Sequence, residues 1–210
     1  MTFIQSFDLS IVQAAGRLRE AAGGFFTPLF KAITLSGTVG AVFIAAAIVF
    51  IIFRKTRKCG ITASIALLFG LLFTNILMKN IIARPRPYSD VSSEFYVLWV
   101  KAGSLKESGF SFPSGHATAA FTVATFTDQW FRTAYPNSPY KGIMRASAYS
   151  LATLESVLRI AAGKHYFTDV LVGALVGTGV SFGILEMHKN RDEKYSFWVG
   201  PNVAGITLRF

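Results

Sequence analysis

Between Lys58 and Lys79 the chain carries no charged residue, reading CGITASIALLFGLLFTNILM. Crossing the hydrocarbon core of a bilayer takes about 20 predominantly apolar residues in a helix. Lipid offers no partner for a backbone N–H, so a run of this kind is satisfied only as a helix. A membrane-crossing helix is therefore predicted over about Gly60–Met78. Three further stretches approach the same length: Ile33–Phe53, Ala117–Phe131 and Phe167–Met187. A fifth, Ile143–Ala162, is interrupted by Glu155 and Arg159. The N-terminal piece Asp8–Gly23 has Ile11, Val12, Ala15 and Leu18 on one side and Arg17, Arg19 and Glu20 elsewhere. It is predicted as an interfacial amphipathic helix, or as half of a sixth span completed by Phe25–Leu35. The expected fold class is all-α, a polytopic membrane helical bundle of five or six spans.

Composition agrees with that reading. Hydrophobic residues make up 52% of the 210, charged residues 15%, and mean hydropathy is +0.45. A soluble domain carries nearer a quarter charged residues. The net charge of +10 could point to nucleic acid, but so apolar a chain has too little polar surface for a basic groove, and the cations sit at the ends of apolar runs, as in membrane proteins. The opening MTFIQSFDLS has no basic region before its apolar residues, so no removable signal peptide is expected. Cys59 is the only cysteine, which excludes an internal disulfide and disfavours a thiolate metal site. Gly173, Gly177, Gly179 and Gly183 predict close helix packing by the last span. Residues 1–190 read as one membrane domain, with 1–31 as the interfacial or half-spanning helix. Residues 191–210 read as a tail whose Phe197, Val199, Val203, Ile206, Leu208 and Phe210 suggest a strand or an interfacial segment.

Polar residues unexplained by lipid packing fall in three places within 79–169: KNIIARPRP at Lys79–Pro87, PSGH at Pro113–His116, and LRIAAGKHYFTD at Leu158–Asp169. Following alternate span ends puts all three on one face of the membrane. Lys79, Arg84, Arg86, His116, Arg159, Lys164, His165 and Asp169 are then expected to form a cationic bowl at that end. Singly, several have plain explanations. Lys79 and Arg84 resemble snorkelling anchors, Pro85 and Pro87 stop a helix, and His188 beside Lys189 is a solvated span end. An arginine inside a span costs about 2.5–3.5 kcal/mol on insertion scales, so Arg159 leans toward function, with Glu155 one turn away to offset and orient it. Together the three groups suit a phosphate. Arginine gives bidentate donors, lysine a compact charge, and Ser114 and Gly115 stand where a helix N-terminus presents free N–H groups. Two histidines can divide the chemistry between a nucleophile oriented by a carboxylate and a general acid. Asp169 follows His165 by four residues, which predicts neighbouring positions on one helix face within hydrogen-bond range, and His116 lies where a helix N-terminus can present a proton donor.

These residues resemble the signature of the type 2 phosphatidic acid phosphatase superfamily: Lys-x6-Arg-Pro, Pro-Ser-Gly-His, and Ser-Arg-x5-His-x3-Asp. Lys79, Arg86 and Pro87 match the first part, Pro113–His116 the second, and Arg159, His165 and Asp169 the third. Leu158 departs from it, standing where the family has a serine. The resemblance implies an integral membrane phosphatase acting without metal or other cofactor through a phosphohistidine. His165 would be the nucleophile, Asp169 its orienter and His116 the general acid. Lys79, Arg86, Ser114, Gly115 and Arg159 would bind phosphoryl oxygens, with Glu155 supporting. The implied partners are a lipid phosphate substrate and membrane lipids, with no nucleic acid; no oligomeric state is implied. Phosphatidate, phosphatidylglycerophosphate and polyprenyl phosphates or diphosphates all fit. The loop from Tyr88 to Phe112 holds Phe95, Tyr96, Leu98, Trp99 and Val100, either anchors at the interface or a lid beside the bowl. Two other functions compete: a vanadium-dependent haloperoxidase, whose soluble relatives lack such spans, and a non-catalytic lipid-phosphate-binding protein. RKTRK at Arg54–Lys58 lies opposite the bowl. By the positive-inside rule it predicts a multi-pass protein of a bacterial cytoplasmic membrane with its site on the extracytoplasmic side.

Overall fold

A computed structural model of the chain describes residues 2–23, 28, 51–52, 57–101, 109–199 and 204–208. The expected span Ile33–Phe53 lies outside the described residues except for its last turn, as does most of RKTRK. Helix α1 is Phe3–Ala21. It starts at a capping box in which Thr2 Oγ1 accepts from the Gln5 N–H and the Gln5 side chain accepts from Thr2 N–H. Helix α2 is Arg57–Leu72; it passes through a π-helical stretch, Phe73–Met78, into α3, Lys79–Ile82. Cys59–Ile82 thus forms one helix long and apolar enough to cross a membrane, a turn longer than the charge-free run. It ends at Ala83, which takes a left-handed conformation at φ 47°. Beyond it, Pro85 and Pro87 cannot donate to a continuing helix and bias their predecessors away from it.

A short helix α4, Tyr96–Lys101, precedes α5, Gly115–Ala134. Helix α6, Lys141–Ala161, and α7, Phe167–Lys194, follow. Phe167–Met187 is the second stretch among the described residues that meets the length and hydropathy of a span. The segments expected at Ala117–Phe131 and Ile143–Ala162 are helical but more polar. α7 continues to Lys194, four residues beyond the domain boundary expected at 190. After it, β1, Tyr195–Val199, pairs antiparallel with β2, Ala204–Leu208, with Tyr195 opposite Leu208. Among the described residues of the tail, these two strands form an antiparallel pair that follows the helical bundle.

The bundle is ordered in the opposite sense to a water-soluble core. Its interior is small and polar, with Ala66, Ala117, Ala120, Ala124, Thr118, Thr122 and Thr125 buried, while Ile65, Leu68, Phe69, Leu154, Leu175 and Phe182 are exposed. Lipid tails supply the apolar solvent for such an outer surface, and small residues let helices approach closely. The buried threonines donate to carbonyls one turn back: Thr118 to Ser114, Thr122 to Thr118 and Thr125 to Phe121, at 2.8–3.0 Å. Each of these three hydroxyls is satisfied within its own helix. α5 is central, packing on α2, α6 and α7.

Two of the four glycines of α7 make that packing possible. A Cβ at Gly173 would lie 2.5 Å from the Ser114 carbonyl oxygen, and one at Gly177 would run into that of Thr118. Gly179 and Gly183 face open space, so the expected close packing is confined to the first pair. Gly177→Ala should lower Tm in detergent by about 5–10 °C, since overpacking against rigid backbone costs about 1–3 kcal/mol. Gly179→Ala in the same thermal scan should leave Tm essentially unchanged.

The face that α1 turns inward carries three of the four apolar residues grouped there: Val12 is buried, and Ile11 and Ala15 pack partly buried against the core. Asp8, Gly16 and Arg19 are buried with them, while Leu18 is 73% exposed. Apolar content misplaces only Leu18, because lipid rewards an outward leucine, whereas the two charged residues find partners inside.

Candidate active site

Four chain segments meet at one end of the bundle: the exit from α3, the loop before α5, the turn between α6 and α7, and the middle of α1. Ser114 caps α5, accepting from the Ala117 N–H at 3.3 Å, and its own N–H donates to the Asp169 carbonyl at 2.9 Å. The N-termini of α5 and α7 are thereby joined. Gly115 is required for close approach, since a Cβ there would fall 2.7 Å from the Asn75 side chain. His116 follows in the first turn of α5, half-buried. Lys79 comes directly after the π-helical stretch, a rare distortion frequent at functional sites.

The turn after α6 holds the second histidine. Gly163, at φ 67°, carries the chain away from the helix, and its missing Cβ would stand 2.5 Å from the Trp99 ring. Trp99 is buried over that glycine, and Phe95 packs where Gly16 leaves room on α1. Of the aromatic loop, then, Phe95 and Trp99 cover the turn rather than anchor at the interface, while Val97 and Val100 remain exposed. Arg159 is fully buried in the last turn of α6, one turn after the half-buried Glu155. Leu158, at the place of the family serine, packs with Ala161 against Ala15 of α1.

His165 is 1% exposed. Its Nδ1 lies 2.8 Å from the Ser111 carbonyl oxygen. A carbonyl only accepts, so the proton sits on Nδ1 and the lone pair on Nε2. Asp169 Oδ2 is 3.8 Å from Nδ1, beyond hydrogen-bonding range. Their spacing suggested a direct bond across one helical face, but α7 begins at Phe167, so His165 precedes the helix and does not share that face. Ser111 fills the gap. Its hydroxyl donates to Asp169 Oδ2, its carbonyl accepts from His165, and its N–H donates to the Arg84 carbonyl at 2.7 Å. Asp169, with no exposure, also accepts from the Tyr166 N–H at 2.8 Å and from Arg84 Nη1 at 2.9 Å.

The two arginines of ARPRP have different duties. Arg86 is buried, donating from Nε to the Gly109 carbonyl at 3.0 Å and from Nη1 to the Lys164 carbonyl at 3.2 Å. Arg84 lies 3.8 Å above the Tyr166 ring and bonds Thr168 Oγ1, Asp169 and Asp8 at 2.8–2.9 Å. Burial pushes the Tyr166 phenol up, with Arg84 pulling the other way, so the ring stays neutral under the cation. Of the residues expected in the bowl, hydrogen bonds join Arg84, Arg86, Lys164, His165 and Asp169 directly or through Ser111; Lys79, His116 and Arg159 lie on the adjoining ends of α3, α5 and α6. Sequence reasoning missed Ser111, Thr168 and Asp8. A carboxylate on the apolar side of α1 was the available signal for Asp8; Ser111 acts mainly through its backbone, which sequence does not display.

An apolar-faced helical bundle with arginine, lysine and histidine gathered at one end defines an integral membrane protein built to handle phosphate. The chain belongs to the PAP2 superfamily, whose family model matches residues 60–193. It is 29% identical over 177 residues to an undecaprenyl-diphosphatase of Sulfolobus acidocaldarius, covering 76% of each chain. It is 30% identical over 132 residues to a probable lipid phosphate phosphatase beta of Arabidopsis thaliana, covering 54% of this chain and 58% of that one. In three dimensions it resembles a transmembrane PAP2 type phosphatidylglycerolphosphate phosphatase from Bacillus subtilis, with TM-score 0.69, 25% identity and 90% and 88% of the two chains covered. The fold is also that of Aquifex aeolicus LpxE, at TM-score 0.62 and 22% identity, over 89% of this chain and 99% of that one. The protein is a membrane phosphatase of the lipid phosphate phosphatase kind.

Proposed function

We propose that this phosphatase removes phosphate from a lipid phosphate or diphosphate through a covalent phosphohistidine on His165. The observation that carries the reading is the Nδ1–H bond to the Ser111 carbonyl, which fixes the tautomer that carries its lone pair on Nε2. Nε2 attacks phosphorus, the bond to the leaving oxygen breaks, and His116 gives that oxygen its proton. Water then attacks the phosphohistidine with His116 as base, and inorganic phosphate leaves. Lys79, Arg86, Arg159, the Ser114 hydroxyl and the Gly115 N–H stabilise the equatorial oxygens, where charge concentrates in phosphoryl transfer, while the Ser114 N–H stays on the Asp169 carbonyl. Asp169 acts through Ser111 and Tyr166 rather than by touching His165.

An undecaprenyl-diphosphatase among the relatives and a phosphatidylglycerolphosphate phosphatase among the structural neighbours make polyprenyl diphosphate and phosphatidylglycerophosphate the leading substrates. The basic cluster opposite the site supports an inner-membrane protein with its site on the extracytoplasmic side, where such lipids present their headgroups after translocation. Cationic side chains and N–H donors supply the positive charge that a metal would otherwise bring to the phosphoryl oxygens. Phosphate release by the purified protein from a panel of lipid phosphates should therefore persist in excess EDTA, fastest with one of these two lipids. Loss of all turnover in EDTA, or release from none of the panel, would overturn the proposal.

A further inference from the structure

Asp8 belongs to none of the three motifs, yet it is fully buried in a helix whose other flank bears the exposed Phe3, Ile4 and Phe7. A buried carboxylate is costly unless paired and fully hydrogen-bonded, and here it is both. Oδ1 accepts from the Thr168 N–H at 2.9 Å, while Oδ2 accepts from Thr168 Oγ1 at 2.5 Å and Arg84 Nη2 at 2.8 Å. The Thr168 N–H is one of the free donors in the first turn of α7, so α1 caps α7 from outside. Arg84 is shared, one nitrogen on Asp8 and the other on Asp169. Three turns along α1, Arg19 Nη1 donates to the Ala161 carbonyl at 3.2 Å. The two charged residues of the α1 inner face thus grip the chain at 161 and at 168, on either side of His165.

We infer that Asp8 is a positioning residue for the hydrolysis: through Thr168 and Arg84 it holds Asp169 and the His165 turn in the attacking geometry. This rests on the phosphohistidine reading above. Without the Asp8 charge, Arg84 is drawn wholly to Asp169, which loosens its hold on Ser111 and hence on His165. The substrate is not touched, so the loss falls on the chemical step.

The test is steady-state phosphate release by the full chain in detergent, from the best lipid of the panel, beside thermal unfolding. Asp8→Asn should lower kcat about 10–100-fold, the scale of an angstrom-level misplacement, with KM within about threefold of wild type. Thr168→Val, which keeps volume and backbone N–H, should lower kcat at least about threefold with the same unchanged KM. It decides the matter if Asp8→Asn does not fold. The pair Asp8→Asn with Arg84→Gln should lose less than the product of the single losses, since both act on one network. Folded variants with kcat within about twofold of wild type, or a loss confined to KM, overturn the inference. His165→Ala in the same assay separates the cases. If it is active, the phosphohistidine reading falls; if it is dead while Asp8→Asn is unimpaired, only the role of Asp8 falls.

Discussion

His165→Ala is expected to reduce phosphate release on the order of 10⁴-fold or more, because the covalent route disappears with its nucleophile. The rest of the site would remain. Arg86 is held by the Gly109 and Lys164 carbonyls and Arg84 by Asp8 and Thr168, so neither depends on the imidazole. The substitution leaves the Ser111 carbonyl without its partner inside the bundle, a cost of about 1–3 kcal/mol. That is small enough for folded protein to accumulate, and lipid binding should persist with turnover gone. Purified variant and wild type compared at matched folded concentration, with release followed over hours, check this. Turnover within tenfold of wild type would remove His165 from the chemistry.

The second large effect depends on the leaving group. His116→Ala should reduce turnover of a lipid phosphate by about 10²–10⁴-fold, the usual contribution of a positioned general acid. The alkoxide of a lipid alcohol is a strong base and leaves only when protonated. An aryl phosphate releases a phenolate that needs little help, so on p-nitrophenyl phosphate the same variant should lose about tenfold or less. The contrast is the informative quantity, since a histidine that merely shaped the phosphate pocket would cost both substrates equally. His116 lies in the first turn of α5, directly after Gly115, where the proposed phosphate would meet the helix N-terminus. Equal losses on the two substrates would assign it to binding.

Much of this was legible in the amino-acid sequence, and the parts that were not share a cause. Motif spacing selected Lys79, Arg86, Ser114, His116, Arg159, His165 and Asp169 as the candidate site because those residue types are costly in lipid and their pattern is specific. Spans followed from hydropathy where a helix faces lipid, as at Cys59–Ile82 and Phe167–Met187. Hydropathy said less about α5, whose buried threonines and Asp128 bond within the bundle. In α1 it placed Ile11, Val12 and Ala15 toward the core but misplaced Leu18, which points outward. The four-residue spacing of His165 and Asp169 suggested a helical pair, but the helix starts two residues too late for one. The orienting atom proved to be a backbone carbonyl, that of Ser111, and no side-chain pattern encodes which carbonyl a fold will deliver.

Trapping of the covalent intermediate tests the central claim most directly. Wild-type protein mixed with a ³²P-labelled lipid phosphate and quenched within the first turnover should carry label that survives alkali and is lost in acid, as a phosphoramidate does. The label should map to the peptide containing His165 and be absent from His165→Ala. A wild-type protein that turns over without acquiring such label, or a His165→Ala variant that still acquires it, would contradict the account.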